Sequence, residues 1–361
     1  MKIIHCADIH LDSKMGTNFS KEKAKERKTE ILNTFKRMVD YAADNGVNAI
    51  IIAGDLYDTR TISATARNVF VNAVRNNPDI TFYYLKGNHD ADSILGAFDS
   101  IPDNLKLFGS EWTSYRYKSI DITGVELDKD NSSTACQSLA LDRDNFNIVV
   151  MHGQKSEYAG KDKAETIDLR ALRNKGIDYL ALGHVHSYSE GQLDSRGKWC
   201  YPGCLEGRGF DECGEHGFVL LDIDEDSLTY TAAFVPFAKR AVCEVDVDIT
   251  GCMDSGDIEE RIRAEQTKTC ASDIVKIVLK GKVDCDCEKD IGLITGNLED
   301  SFYAFRIYDE SRFNVDYDSY ANDRSLKGEF VRLVKASDMS DDEKAEVIRC
   351  GIQALSGRCE E

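Results

Sequence analysis

Aspartate, histidine and asparagine recur in five short clusters: Asp8-x-His10, Gly54-Asp55-x-x-Asp58, Gly87-Asn88-His89-Asp90, His152-Gly153 and Gly183-His184-x-His186. Two carboxylates (Asp8, Asp55), four imidazoles (His10, His152, His184, His186) and the Asn88 amide oxygen make a mixed nitrogen and oxygen donor set. Such a set suits manganese, iron, zinc or cobalt rather than calcium, and it needs no thiolate. A carboxylate bridging two ions about 3.5–4 Å apart is the usual device of two-metal phosphoester hydrolysis. One ion orients the phosphate, both lower the pKa of a shared water, and the hydroxide so formed attacks phosphorus in line with the leaving oxygen. His89 directly follows Asn88, so it can face the substrate and stabilise charge or protonate the leaving group. Asp90 is placed to hold that imidazole in the useful tautomer.

Each cluster closes an apolar run that reads as a buried strand: residues 2–7, 49–53, 80–85, 147–151 and 177–182. Strands delivering ligands from their C-terminal ends can converge on one rim of a sheet. In extended backbone, residues i and i+2 share a face, so Asp8 is expected to point with His10, and His184 with His186. On a helix either pair would diverge by roughly 200°. Gly54, Gly87, Gly153 and Gly183 adjoin the ligands, where the chain must turn tightly or pass close to them. Any one of these clusters is common by chance. The weight lies in finding all five, each behind a strand. Of seven histidines only His5 and His216 fall outside, and they read as a core-strand and a turn histidine.

Residues 20–45 read as a helix with an apolar stripe of Ile31, Phe35, Met38 and Ala42, ended by Gly46. A second helix spans 63–75 and stops before Pro78. This strand–helix rhythm predicts an α/β core. From residue 115 the chain turns β-rich (115–127, 198–205, 217–237), which implies a second sheet stacked on the first with helices outside both. Past residue 240 a strand (242–249), helix (254–268), strand (273–283), helix (288–298) and strand (301–308) form a small separate unit. A polar stretch, 314–323, leads to two helices. The first covers 325–335; the second opens on the capping box Ser340-Asp341-Asp342-Glu343 and stops at Gly357. Its stripe of Ala345, Ile348, Ile352 and Leu355 packs on the chain's own core or docks a partner. The expectation is a four-layer α-β-β-α sandwich over residues 1–239, a small α+β capping domain over 240–310, and a linker with a C-terminal helix pair over 311–361.

A formal charge of −19 argues against a chain that coats DNA through its own field. It leaves DNA chemistry open, because two dications outweigh the carboxylates around them. No run approaches the ~18 apolar residues of a membrane span. A strand starting at Lys2, with Asp8 already a site candidate, leaves no room for a cleavable leader, so a cytoplasmic protein is expected. Twelve scattered cysteines are then reduced thiols. Cys285-Asp286-Cys287 and the Cys200, Cys204, Cys213 group read as inert sooner than as soft-metal sites. Lys21, Lys23, Lys25, Arg27 and Lys28 read as a solvated helix face, with DNA-backbone contact as the sharper alternative. Arg208 offers substrate a guanidinium fork, or pairs structurally.

Residues 1–237 resemble the calcineurin-like metallophosphoesterases, whose motifs read D-x-H, G-D-x-x-D, G-N-H-D, H and G-H-x-H. The resemblance implies one metal on Asp8, His10, Asp55 and His186. It implies another on Asp55, Asn88, His152 and His184, with Asp55 bridging and His89 as the catalytic histidine. The flanks Asp8-Ile9-His10-Leu11-Asp12-Ser13, Gly54-Asp55-Leu56-Tyr57-Asp58, Tyr201-Pro202-Gly203-Cys204, Gly207-Arg208 and Gly217-Phe218 are similar to bacterial SbcD and YhaO-type DNA repair nucleases. Those proteins carry a small capping domain and a helical tail in the same order. This likeness implies a manganese-dependent DNA exonuclease and endonuclease in a repair complex. It further implies a homodimer and an SbcC-like coiled-coil ATPase bound through the C-terminal helices. Two departures stand out: Asp58 occupies a position that is His in archaeal and eukaryotic members, and Cys204 replaces a small polar residue. A small-molecule or cyclic-nucleotide phosphodiesterase on the same scaffold is the competing reading. A non-catalytic scaffold for an ATPase is a weaker one, since it needs neither a bridging Asp nor His89.

Overall fold

Pairing partitions the chain into two units, Met1–Ala241 and Val242–Glu361. The computed structural model describes every residue except 17–18, 59–61, 88–89, 91–97, 99, 157–165, 267–268, 285–286, 316 and 356–361. Asn88, His89, Lys268, Cys285, Asp286 and Gly357 therefore lie outside the described residues.

The first unit opens with β1 (Lys2–Cys6), α1 (Lys21–Asp44), β2 (Ala49–Ala53), α2 (Ala64–Asn76), β3 (Thr81–Leu85) and β4 (Leu105–Leu107). Then come β5 (Thr113–Tyr117), β6 (Ile120–Gly124), α3 (Ala135–Ser138), β7 (Phe146–His152), β8 (Gln154–Ser156), β9 (Thr166–Asp168) and α4 (Leu169–Leu172). It closes with β10 (Tyr179–Gly183), β11 (Ser189–Gln192), β12 (Lys198–Tyr201), β13 (Gly217–Ile223) and β14 (Tyr230–Pro236). One six-stranded sheet runs β14-β13-β1-β2-β3-β4 and the other β11-β12-β10-β7-β6-β5. The strands that precede the clusters are parallel neighbours in each sheet: β1, β2 and β3 in the first, β7 and β10 in the second.

Burial on both faces explains why these strands read as unbroken apolar runs rather than alternations. Ile3, Ile51 and Leu85 from the first sheet and Ile122, Ile148, Val150 and Ala181 from the second share one core, so the sheets pack face to face. Outside the first sheet, Phe35 of α1 meets Phe70 of α2, which packs edge-on against Phe82 of β3. Outside the second, α3 and α4 contribute Ala135, Leu169 and Leu172 to a cluster with Val149, Met151, Leu180 and Leu182. The mixed α/β fold follows the strand–helix rhythm of the sequence. The short elements α3, α4, β4, β8 and β9 carry too few residues to show a period.

Helix α1 is capped by Ser20, whose hydroxyl accepts from Lys23 N at 3.3 Å, and it is followed by Gly46 at φ +65°. Its buried stripe holds Ile31, Phe35, Met38 and Ala42, and also Arg27. That corrects the reading of Arg27 as part of a solvated face. Its side chain is fully buried, pairs with the equally buried Glu206 at 2.8 Å, and also bonds Glu30 and the Gly207 carbonyl.

In the second unit, β15 (Val242–Asp248), α5 (Ser255–Glu265), β16 (Ile274–Lys280), β17 (Lys282–Asp284), α6 (Ile291–Asn297), β18 (Ala304–Asp309) and β19 (Arg312–Asn314) precede α7 (Leu326–Lys335) and α8 (Asp341–Leu355). Strands β15, β16 and β18 form a parallel sheet, with Ile258 and Ile262 of α5 and Ile294 of α6 buried in its core. Val331 and Val334 of α7 meet Ile348 and Ile352 of α8, and Tyr320 from the polar stretch joins them. The capping box forms: Ser340 N donates to Glu343 Oε2 at 2.9 Å.

His5 gives the first unit a testable pH dependence. It is fully buried in β1 with Nδ1 2.9 Å from the Tyr179 hydroxyl. Burial drives its pKa down to about 3, against the weaker opposing pull of the Leu182 backbone carbonyl. The unfolded chain takes up this proton as pH falls through about 6.5, whereas the folded chain holds out to about 3, so stability is lost across that window. At pH 5 the cost is about 2 kcal/mol. His5→Gln should therefore lose about 2 kcal/mol less than wild type between pH 7.5 and pH 5, read from urea midpoints. Parallel losses would show that His5 titrates normally.

Candidate metal centre

Four of the clusters, with Gly87 and Asp90 of the fifth, meet where the C-terminal ends of β1, β2, β3, β7 and β10 face one another. Pairing continues past the strands: Asp8 N donates to Gly54 O at 3.1 Å, His10 N to Asp55 O at 3.0 Å, and Leu11 N to Leu56 O at 2.8 Å. Asp8 and His10 do point together, but not through the pleat of an extended strand. Asp8, His10 and Asp12 have φ of 50°, 50° and 74°, Asp55 has 52° and His184 has 105°. Alternate left-handed residues produce the convergence, because β1 ends at Cys6 and β10 at Gly183 and the ligands sit in the turns beyond. Left-handed aspartate and histidine are tolerated better than bulky or β-branched residues, yet they still store strain, and such strain gathers at functional sites.

Two groups of donors result: Asp8 with His10 and His186, and Asp8 with Asp55 and His152. Asp8, Asp55, His10 and His152 are all buried. Asp8 is common to both groups, and Asp55 Oδ2, in the second, lies 3.4 Å from His152 Nε2 and 4.0 Å from His10 Nε2 of the first. His10 Nε2 and His186 Nε2 stand 3.3 Å apart. Both oxygens of Asp8 accept from His184 N, at 3.0 and 2.9 Å, and the His184 ring lies edge-on to His152 at 5.4 Å. The structure therefore brings together Asp8, His10, Asp55, His152, His184 and His186. Close-set imidazole nitrogens and buried carboxylates have opposing needs in a bare protein but a common one around cations. Burial raises the Asp8 pKa, opposed by the neighbouring histidines. Burial also disfavours a charged His152, but the Asp55 and Asp8 carboxylates outweigh it and hold its pKa at about 9. This donor set fits two divalent ions.

The glycines are needed for close approach. A Cβ on Gly183 would fall 1.9 Å from Ala53 O, and one on Gly87 would fall 2.2 Å from Asp55 Oδ1. Gly54, at φ +92°, would place a Cβ 2.1 Å from His152 Nδ1.

Around the donors lie groups that orient them, of which motif reading passed over the Glu212 side chain. His10 Nδ1 is 3.1 Å from Asp58 Oδ1, His152 Nδ1 is 2.9 Å from Ala53 O, and His186 Nδ1 is 2.7 Å from Glu212 Oε1. Glu212 had no signal of its own; only the glycine-rich stretch around it marked a loop. Asp90 is partly buried, and desolvation lifts its pKa to about 6. It accepts from Leu56 N at 3.2 Å, Tyr57 N at 2.8 Å and Gly87 N at 3.0 Å, tying the Asp55 loop to the Gly87 loop. Arg208 is mostly buried against Asp58 and Glu212. Cys200 and Cys204 are buried, and burial pushes both thiols up, as expected of inert groups. His216 is buried too, its Nε2–H donating to the Glu212 carbonyl at 2.7 Å.

A family model, Calcineurin-like phosphoesterase, matches residues 1–188. The chain belongs to this family. It is a metal-dependent phosphodiesterase, a hydrolase of ester bonds, whose centre takes divalent ions. Among curated relatives, the uncharacterized metallophosphoesterase YhaO of Bacillus subtilis is 28% identical over 300 residues, covering 78% of this chain and 72% of YhaO. The DNA double-strand break repair protein Mre11 of Saccharolobus solfataricus is 25% identical over 376 residues, covering 95% of this chain and 92% of its own. Mre11 of Haloferax volcanii is 26% identical over 304 residues, covering 78% and 62%.

Gly54→Ala tests the close approach. The added methyl must displace the His152 ring and strain a left-handed residue, so the variant should lose about 3 kcal/mol of stability. It should also bind divalent metal more weakly, as followed by thermal melts and metal titration. A variant with unchanged melting and metal uptake would contradict the packing.

Proposed function

We propose that this chain is a manganese-dependent DNA nuclease with exonuclease and endonuclease action, the hydrolytic subunit of a DNA repair complex. One observation carries the reading. Similarity to a DNA double-strand break repair protein extends over 95% of the chain, well beyond the 1–188 family match and into the second unit. A small-molecule phosphodiesterase has no need of that second unit.

Asp8, His10, Asp55 and His186 hold one ion and Asp55, Asn88, His152 and His184 the other. Two such ions supply Lewis acidity to the phosphoryl oxygens and an activated water. The protein's own groups do the rest. Asp55, within 4.0 Å of His10 in the other donor group, would bridge the ions and set the spacing. The Ala53 carbonyl fixes the His152 tautomer, so that Nε2 keeps its lone pair for the centre. Burial excludes bulk water around Asp8 and Asp55, which strengthens every charge interaction there. His89 donates a proton to, or stabilises charge on, the leaving oxygen. Asp90 holds the Gly87 loop that carries it.

With a net charge of −19, the surface gives little attraction to nucleic acid, which suits a subunit that shares its DNA with a partner. The partner we infer is an SbcC-like coiled-coil ATPase docked on the C-terminal helices. Leu326 and Leu333 lie one heptad apart on α7 and are 71% and 65% exposed, while Val331 and Val334 face α8. No helix among the described residues is long and apolar enough to cross a membrane, and we infer a cytoplasmic protein that acts as a homodimer.

A manganese-dependent assay comparing labelled duplex DNA with a cyclic nucleotide and a chromogenic diester decides the substrate. DNA cleavage is expected, and turnover of the small substrates alone would overturn the nuclease. His89→Ala should cut turnover by about 10²–10⁴-fold with manganese still bound. Loss of metal instead would move His89 among the ligands. Asp55→Ala should empty both positions; retention of either ion would show that it is no bridge. Deleting 325–361 should abolish co-purification with the ATPase yet spare hydrolysis of the small diester.

A further inference from the structure

The loop between β12 and β13 reaches the metal centre without contributing a ligand. It is tied down at both ends. Glu206 is buried under α1, paired with Arg27 at 2.8 Å and accepting from Thr34 Oγ1 at 2.7 Å. At the other end His216 holds the Glu212 carbonyl at 2.7 Å, and the Cys204 thiol approaches His216 Nδ1 at 3.3 Å. Cys204 N donates to His186 O at 2.9 Å, and a Cβ on Gly203 would collide with that same carbonyl at 2.8 Å. The loop is thus in register with the His186 backbone before any side chain acts.

Two carboxylates and one guanidinium then close a circuit. Arg208 Nη1 is 3.2 Å from Asp58 Oδ1, and its Nη2 and Nε are 3.0 and 3.3 Å from Glu212 Oε1. Arg208 N donates to Glu212 Oε2 at 2.6 Å. Ser13 Oγ donates to Asp58 Oδ2 at 3.0 Å. The outer ends of the circuit are the two histidine contacts, His10 Nδ1 on Asp58 and His186 Nδ1 on Glu212. A carboxylate accepts, so Glu212 at 2.7 Å, nearer His186 Nδ1 than Arg208 Nη2 at 3.1 Å, favours the proton on Nδ1 and the lone pair on Nε2, and Asp58, 3.1 Å from His10 Nδ1, biases that ring the same way. Those Nε2 atoms are the pair standing 3.3 Å apart.

We propose that Asp58, Arg208 and Glu212 form a clasp that fixes the tautomer and direction of His10 and His186 together, and so selects the affinity of one of the two metal positions. Arg208 is a positioning residue within it, not a substrate contact. The positive guanidinium lets two carboxylates sit close together behind one metal position without repelling each other. All three of its nitrogens engage them, and Nη2 also comes within 3.1 and 3.4 Å of His186 Nδ1 and Nε2, so the guanidinium bears on the ring as well as on the carboxylates. The inference rests on the metal reading above and goes further, assigning three residues that donate nothing to metal or substrate.

The test uses the full-length protein and manganese, with binding followed by calorimetry and by the electron paramagnetic resonance of free Mn²⁺. Glu212→Gln should weaken one manganese equivalent about 10–100-fold and leave the other within about twofold. Asp58→Asn, entering from the opposite side, should weaken the same equivalent, and it carries the test if Glu212→Gln fails to fold. Arg208→Ala should raise the manganese needed for half-maximal turnover of a chromogenic diester, while KM for the diester at saturating manganese stays put. Equal weakening of both equivalents, or none, overturns the clasp. So does an Arg208→Ala enzyme with unaltered manganese binding and a raised KM, which would make Arg208 a phosphate contact. His186→Ala separates this from the parent reading: if it keeps both ions, the ligand assignment has failed rather than the clasp.

Discussion

Three imidazoles at this centre have Nδ1 within 3.1 Å of an oxygen, of Asp58 for His10, of the Ala53 carbonyl for His152 and of Glu212 for His186. An imidazole can hold a cation only through a nitrogen whose lone pair is free. Tethering Nδ1 settles which nitrogen that is, and it settles the ring's direction as well. Everything else in the first unit serves that condition. The sheets must pack close enough for a carbonyl of β2 to reach a histidine of β7, and glycine must stand wherever a side chain would keep them apart.

The strand order explains why ligands from distant parts of the chain meet. The second sheet puts its parallel strands between antiparallel edge strands, while in the first the parallel run β1-β2-β3-β4 reaches one edge and the antiparallel β13 and β14 cover the other side. The C-terminal ends of the central strands therefore lie side by side. Face-to-face packing sets the rim of one sheet against the rim of the other, and the donors occupy the seam. Neither sheet holds the full donor set by itself.

Much of this was legible from residue types alone. Apolar runs marked the central strands, because burial on both faces removes polar alternation, and the metal-type residues behind them marked the rim. The convergence of Asp8 with His10 was read correctly in outcome but for the wrong geometric reason, since a two-residue period suggests a pleat and the backbone instead turns left-handed. Arg27 was misread although its position fits the helical stripe through Ala24 and Ile31. A charge in that stripe is a buried pair in disguise, and its partner Glu206 is 179 residues away. Glu212 was invisible for a similar reason. A carboxylate that acts through one hydrogen bond on a histidine leaves no spacing to detect. Asn88 and His89 lie outside the described residues, so their place at the rim rests on sequence.

The position of β1 also bears on how the molecule is made. Strand β1 is made well before its partner β13 yet lies inside its sheet, between β2 and β13, and the Met1 amine donates to the carbonyl of Ile223, 222 residues on. An N-terminal strand whose partner is synthesised so late cannot complete its sheet during early elongation, and such non-local pairing is slow. Meanwhile its two apolar faces and one open edge are exposed. The metal centre suffers the same delay, because His184 and His186 also emerge late. A nascent chain stalled before β13 would hold the ligands of β1 and β2 with no second sheet beneath them in final register. Hydrolytic competence thus arrives only when the whole first unit has closed, which keeps a phosphodiesterase silent until its fold is complete.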